Sequence, residues 1–168
     1  LHGMPLDVSN ATAAVRVHAR IAAEWGAVSV LVCSAGTNVP ARFLKRLTAQ
    51  DFGKVVDINL KGATHCALAV LPSMRAQRDG VIVVVSSWAG HEFLSFTGAA
   101  CNASKAGLTM LVRTINHEEG RHGIRCTPGV KKLHVRCIRG AHQRPHALNI
   151  AIEGEEVKKL GGLYHAAG

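Results

Sequence analysis

Two stretches, Val28-Ser29-Val30-Leu31-Val32-Cys33 and Val81-Ile82-Val83-Val84-Val85, are almost continuously apolar and rich in β-branched residues. Neither alternates polar with apolar, so neither suits a strand with one face in water. Both read as strands buried on both faces, the habit of parallel sheets. Parallel neighbours cannot be joined by a tight turn; they need a crossover, usually a helix. The intervening sequence supplies it. Ser9 or Asn10 caps a helix whose Val15, His18, Ile21, Ala22 and Trp25 recur at three- and four-residue spacing, and Gly26 stops it. Thr48 to Asp51 forms a capping box with Asp in place of Glu. It opens a long helix with Phe52, Val55, Val56, Leu60, Ala63, Ala67 and Val70 on its apolar face and Asn59 on or beside it. A third helix spans roughly 99–119, ended by Gly120 to Gly123.

Met4 to Val8 reads as a strand end, and Ile124 to Thr127 as the start of a last strand. Strand and helix therefore alternate throughout, which with right-handed crossovers predicts an α/β fold: a parallel sheet with helices on both faces. Ligands of such sheets bind beyond the carboxyl ends of the strands. Asp7, Ser34-Ala35-Gly36 and Ser86-Ser87 stand at those ends, so topology alone places a candidate site there.

The length of 168 residues suits one globular domain, and its Leu1 start leaves it open as a piece of something longer. No run of 18 apolar residues occurs and no basic start precedes an apolar stretch, so neither a membrane span nor a signal peptide is expected. Five cysteines without a CxxC pair predict free thiols in a reducing compartment, here the cytoplasm. Of 20 Lys and Arg and 11 Asp and Glu, 13 and 8 fall within residues 1–130. Residues 131–149 hold five basic residues, three His and no acid. A boundary near residue 130 follows, between an α/β domain at 1–130 and a basic, irregular segment at 131–168.

The strand-end residues resemble the classical short-chain dehydrogenase/reductase family. Asp7-Val8 resembles its acidic dipeptide at the adenine ring. Leu31-Val32-Cys33-Ser34-Ala35-Gly36 resembles its Asn-Asn-Ala-Gly segment, with Cys33 and Ser34 in place of the two Asn. Asp57-Ile58-Asn59-Leu60-Lys61-Gly62 resembles the helix carrying the catalytic Asn, and Gly80 through Gly90 the strand and loop carrying the catalytic Ser. Cys101-Asn102-Ala103-Ser104-Lys105 stands where the family has Tyr-x-x-x-Lys. The likeness covers about residues 4–127. It implies a doubly wound, Rossmann-like fold that lacks its first βαβ unit, because the family's Gly-rich phosphate turn has no counterpart in this sequence. After Thr127 the order departs from the family: Pro128-Gly129 follows at once, and no last helix and strand resume. A deletion, an alternative splice or a shifted reading frame near 126–130 would each produce that change.

The resemblance implies hydride transfer between NAD or NADP and a small carbonyl or alcohol, with Ser87, Asn59, Lys105 and position 101 catalytic. Asp7, Val8, Ala35, Gly36 and Lys105 would bind cofactor, Lys105 at the nicotinamide ribose, although the absent Gly-rich turn puts cofactor binding by this chain in question. Lys105 could make the Cys101 thiol a thiolate, so acidity is no obstacle. Reach is: a sulfur one bond beyond Cβ falls several ångströms short of where a phenol oxygen would be. Activity is therefore expected to be impaired or absent. The residues alone also admit plainer roles: Ser87 as a turn cap, Asn59 as a buried amide, Lys105 as a solvated lysine and Cys101 as a small buried thiol. Two other functions stand beside the enzyme. One is a non-catalytic relative that forms homo-oligomers through helices 49–75 and 99–119. The other is a nucleic-acid-binding segment at 131–149, which the lack of aromatics there disfavours. His134, Cys137, His142 and His146 have zinc-ligand side chains in an order that matches no common finger, so no metal is expected.

Overall fold

The computed structural model describes residues 3–129. Its elements run α1 (Ala11–Trp25), β1 (Val30–Cys33), α2 (Ala49–Val56), a π-helical turn (Asp57–Lys61), α3 (Gly62–Gln77), β2 (Gly80–Val85), α4 (Ala99–Glu119) and β3 (Ile124–Gly129). The strands form one parallel sheet in the order β1-β2-β3, with Val32 opposite Val83 and Val83 opposite Thr127. The buried apolar runs thus form parallel strands joined by helical crossovers, a Rossmann-like α/β arrangement. Asn10 caps α1 by accepting from the Ala13 N–H, and Thr48 caps α2 by accepting from the Asp51 N–H at 3.0 Å.

Strand alternation decides which side chains meet the helices. Leu31 and Cys33 of β1, Ile82 and Val84 of β2, and Ile124 and Cys126 of β3 share one core with Ala14 and Ile21 of α1, Cys66, Val70 and Met74 of α3, and Leu108, Val112 and Ile115 of α4. Among the described residues the three long helices thus lie against one face of the sheet. The remaining valines of β1 and β2 point to the other.

Two local expectations need correction. Met4 to Val8 forms no strand among the described residues; Leu6 and Val8 are buried by side-chain packing, and no neighbouring strand completes a ladder with their backbone. The long helix from 49 is interrupted by the π turn, where the Gly62 N–H reaches back five residues to the Asp57 carbonyl. The last strand does begin at Ile124, and it runs on through Pro128 to Gly129; among the described residues it is an edge strand, where a residue without an N–H is tolerated on the outer side. The basic segment at 131–168, with the nucleic-acid and zinc readings attached to it, lies outside the described residues.

Candidate functional site

The π turn sets the geometry. One extra residue per turn rotates the chain locally, and such turns recur at functional sites. Here Asn59 is driven into the interior, where it is 1% exposed. Its Oδ1 accepts from the Thr37 N–H at 2.7 Å, and its Nδ2 donates to the Thr37 carbonyl at 3.0 Å and to Ser104 Oγ at 3.2 Å. Asn59 thereby ties the loop after β1 to the first turns of α4. The π turn also touches α4 at Gly107, where a Cβ would lie 2.8 Å from Leu60 Cδ2.

Lys105 reaches from α4 to the end of β2, where its Nζ donates to the Val85 carbonyl at 2.9 Å. Burial of the ammonium lowers its pKa, against an opposing influence from the neighbouring Cys101. A Cβ built on the exposed Gly36 would lie 3.6 Å from Asn59 Oδ1 and 3.9 Å from Lys105 Nζ, ordinary contact distances, so Gly36 sits beside both groups. Cys101 is half-buried, one helical turn before Lys105, and its carbonyl accepts from Ser104 Oγ at 3.0 Å. The structure thus brings Gly36, Asn59, Cys101 and Lys105 together beyond the strand ends.

The other candidates flank this group. Ser87 lies two residues past Val85 and caps the short turn Trp88–Gly90, its Oγ accepting from the Ala89 N–H at 3.4 Å. Ala35 packs against the core. The Asp7 carboxylate accepts from the N–H and hydroxyl of Ser9 at 2.9 and 2.7 Å. Val8 is buried beneath Gly62, where an added Cβ would come within 2.7 Å of its side chain. None of these flanking residues makes a hydrogen bond to Asn59 or Lys105.

Sequence reasoning passed over Ser104, which is fully buried and links Asn59 to Cys101. A lone hydroxyl inside a helix carries no spacing signal. It also passed over Thr37, whose backbone is the partner of Asn59. Ser86 was read with Ser87, yet the two differ: Ser86 is buried and its Oγ has no hydrogen-bond partner among the described residues, whereas Ser87 is half-exposed. Among the described residues no three His, Cys, Asp or Glu side chains cluster to hold a metal, and no helix is long and apolar enough to cross a membrane.

Residues 1–130 match the family described as short chain dehydrogenase. The chain is 35% identical over 141 residues to sorbitol-6-phosphate 2-dehydrogenase of Klebsiella pneumoniae, covering 77% of this chain and 52% of the relative. It is 32% identical over 126 residues to cyclohexanol dehydrogenase of a Rhodococcus species, covering 73% and 47%. The crystal structure of a gluconate 5-dehydrogenase from Burkholderia cenocepacia, in complex with NADP and tartrate, superposes with a TM-score of 0.67 at 28% identity, covering 71% of this chain and 46% of that one. The chain therefore spans about half the length of these relatives.

Proposed function

The chain belongs to the short chain dehydrogenase family, and from that membership we propose that it carries the catalytic part of an NAD(P)-dependent oxidoreductase acting on a small carbonyl or alcohol. The observation that carries the reading is the convergence of Gly36, Asn59 and Lys105 beyond the strand ends. The sorbitol-6-phosphate and cyclohexanol dehydrogenases among its relatives support a small alcohol or carbonyl as substrate, and the NADP-bound gluconate 5-dehydrogenase supports the cofactor.

NAD(P)H, when bound, supplies the hydride; the protein supplies position and a proton. The exposed Gly36 and the Lys105 ammonium suit the ribose next to the nicotinamide, and Asp7-Val8 and Ala35 take the remaining contacts. The Ser87 hydroxyl donates to the substrate carbonyl oxygen. Asn59 holds Thr37 in place and keeps a second Oδ1 lone pair for a water that relays protons. Cys101 stands at the proton-donor position with a side chain too short to reach a carbonyl held by Ser87, so turnover is strongly reduced. An interposed water gives poorer positioning than a direct donor. The four described cysteines are free thiols, in keeping with a cytoplasmic protein.

A second reading, a non-catalytic relative acting through contacts between copies, is favoured by one observation. Phe52, Leu68 and Met110 are exposed on α2, α3 and α4. Titration with NADPH and NADH, followed by nicotinamide fluorescence, separates the two. The enzyme reading predicts saturable binding that Lys105→Ala weakens by about tenfold or more while Lys54→Ala leaves it unchanged. Absence of saturation with either nucleotide favours the second reading.

A further inference from the structure

Every described aromatic side chain of this protein lies outside the buried core. Three of the six, Phe43, Phe93 and Phe96, sit with Leu44 in the two loops that follow β1 and β2, and Trp88 opens the second loop. Phe93 is 82% exposed, Leu44 80% and Trp88 63%. Four of the six described aromatic side chains thus stand with Leu44 in the loops beyond the strand ends, while Trp25 and Phe52 lie on α1 and α2.

These loops are fastened to one another and to the candidate site. The chain leaves the site over three consecutive residues: Gly36 beside Lys105 Nζ, Thr37 paired with Asn59, and Asn38, whose Nδ2 donates to the Thr97 carbonyl at 2.9 Å. The Ala99 N–H donates to the Arg42 carbonyl at 3.3 Å, and Gly98, at φ +85°, lies so close to Arg42 that a Cβ would collide with its backbone. Three polar side chains of this clasp, Asn38, Thr97 and Asn102, bond within it. Asn38 Oδ1 accepts from the Val39 N–H, Thr97 Oγ1 bonds Leu94 O and Asn102 Oδ1, and Asn102 Nδ2 donates to Leu94 O. Arg42 lies over the Phe43 ring, 5.6 Å from its centroid. Asn38, Thr97 and Asn102 thus bond within the clasp, while Phe43, Leu44, Phe93 and Phe96 are exposed on the same loops, interspersed with the exposed Lys45, Arg46, His91 and Glu92.

A polyhydroxylated substrate needs free donors and acceptors around the reacting carbon. An aromatic or branched aliphatic carbonyl compound needs apolar walls and one polar contact for its oxygen. We infer that the site takes a carbonyl or alcohol bearing an aromatic or bulky aliphatic group, held between Phe43 and Leu44 on one loop and Trp88, Phe93 and Phe96 on the other. The inference rests on the oxidoreductase reading for the identity of the site, with Ser87, immediately before Trp88, as the contact for the substrate oxygen.

The test uses the full chain carrying Trp25→Phe, which leaves Trp88 as its one tryptophan. Trp88 fluorescence is titrated with 4-nitrobenzaldehyde, and separately with fructose as a polyhydroxy ketone. Saturable quenching by the aldehyde, with a midpoint below about 1 mM, and none by fructose is expected. Phe93→Ser with Phe96→Ser raises that midpoint about tenfold, with far-UV circular dichroism unchanged. Should that pair lose its fold, Leu44→Ser on the opposite loop gives the same reading. Linear, unsaturable quenching overturns the inference, as does a midpoint indifferent to these variants. A serine pair that instead turns a larger species into a monomer on gel filtration, at an unchanged midpoint, also overturns it and makes the patch a contact between copies. NADPH is titrated in parallel. Aldehyde saturation without nucleotide binding leaves this inference standing and sinks the oxidoreductase reading, while the converse sinks this inference alone.

Discussion

Replacing Asn59 by Ala removes the amide that joins the π turn to the loop after β1. Three hydrogen bonds go, to the Thr37 N–H, the Thr37 carbonyl and Ser104 Oγ. Ser104 keeps its bond to the Cys101 carbonyl and Thr37 is half-buried, so water can rescue part of the loss. A net contribution near 1 kcal/mol per bond, plus the cost of leaving partly buried backbone groups unpaired, gives about 2–4 kcal/mol. With a urea slope of about 2 kcal/mol/M, the middle of the range for a small domain, the midpoint should fall by about 1–2 M. Asn59→Asp refines the test. Its carboxylate can still accept from the Thr37 N–H, but as an anion it faces the Thr37 carbonyl with no proton to give. Protonated, it restores that donor. Burial raises its folded pKa above the ordinary carboxylate value, so Asn59→Asp should be least destabilised at low pH, its stability falling as pH rises through the unfolded pKa near 3.9 towards the folded one. A loss below about 0.5 kcal/mol for Asn59→Ala would refute the reasoning, as would an Asn59→Asp penalty independent of pH.

Gly123→Ala should lower the unfolding free energy by about 1–3 kcal/mol, read from the urea midpoint, because Gly123 holds φ +75° and an added Cβ would collide with the Arg78 carbonyl; an unchanged midpoint contradicts the left-handed turn. Among the described thiols, Cys101 should be alkylated first and Cys33, Cys66 and Cys126 protected, as peptide mass spectrometry after brief iodoacetamide treatment would show. Burial pushes the Cys66 thiol up to about 11 and Cys126 to about 12, with Cys33 raised as well. These thiols stay protonated when folded and ionise first when unfolded, so stability should fall as pH rises from about 8.5, the ordinary thiol value. Serine at Cys66 and Cys126 should flatten that decline, and an equally steep decline would contradict it. The Arg75 Nε donates to Glu119 Oε2 at 2.7 Å, and Glu119 is the more buried partner. Arg75→Met should therefore cost more than Glu119→Gln in urea denaturation, because it leaves a buried carboxylate unpaired.

The continuous valine runs made the sheet legible, since only strands buried on both sides dispense with polar alternation. The caps at Asn10 and Thr48 were equally plain, because capping follows side-chain type at one position. The π turn was not legible: one residue added within a helix barely disturbs a spacing of three and four, and the periodicity of Val55, Val56, Leu60 and Ala63 reads as continuous helix. Met4 to Val8 had the composition of a strand, but a strand is made by its neighbour. In the site, Asn59 and Lys105 stood out through resemblance, and the structure adds why they meet: the π turn swings Asn59 inward, and α4 aims Lys105 at the end of β2. Ser104 and the paired backbone of Thr37 left no trace in the sequence, because their role exists only in the contact. The bonds that fasten the loop clasp were likewise invisible, since Asn38 and Thr97 read as ordinary loop residues and Asn102 as a helix residue.

Cys101→Tyr tests most directly the proposal that the side chain at position 101 is too short to act as proton donor; NADPH binding is first verified for both forms, because the Gly-rich turn has no counterpart in this sequence. NADPH consumption in the presence of a small aromatic aldehyde is measured for the chain and the variant at equal concentration. A positioned general acid contributes about 10²–10⁴-fold, so the tyrosine should raise the rate by at least about 100-fold. Equal rates, or a faster cysteine form, would contradict the claim that the missing phenol limits this site.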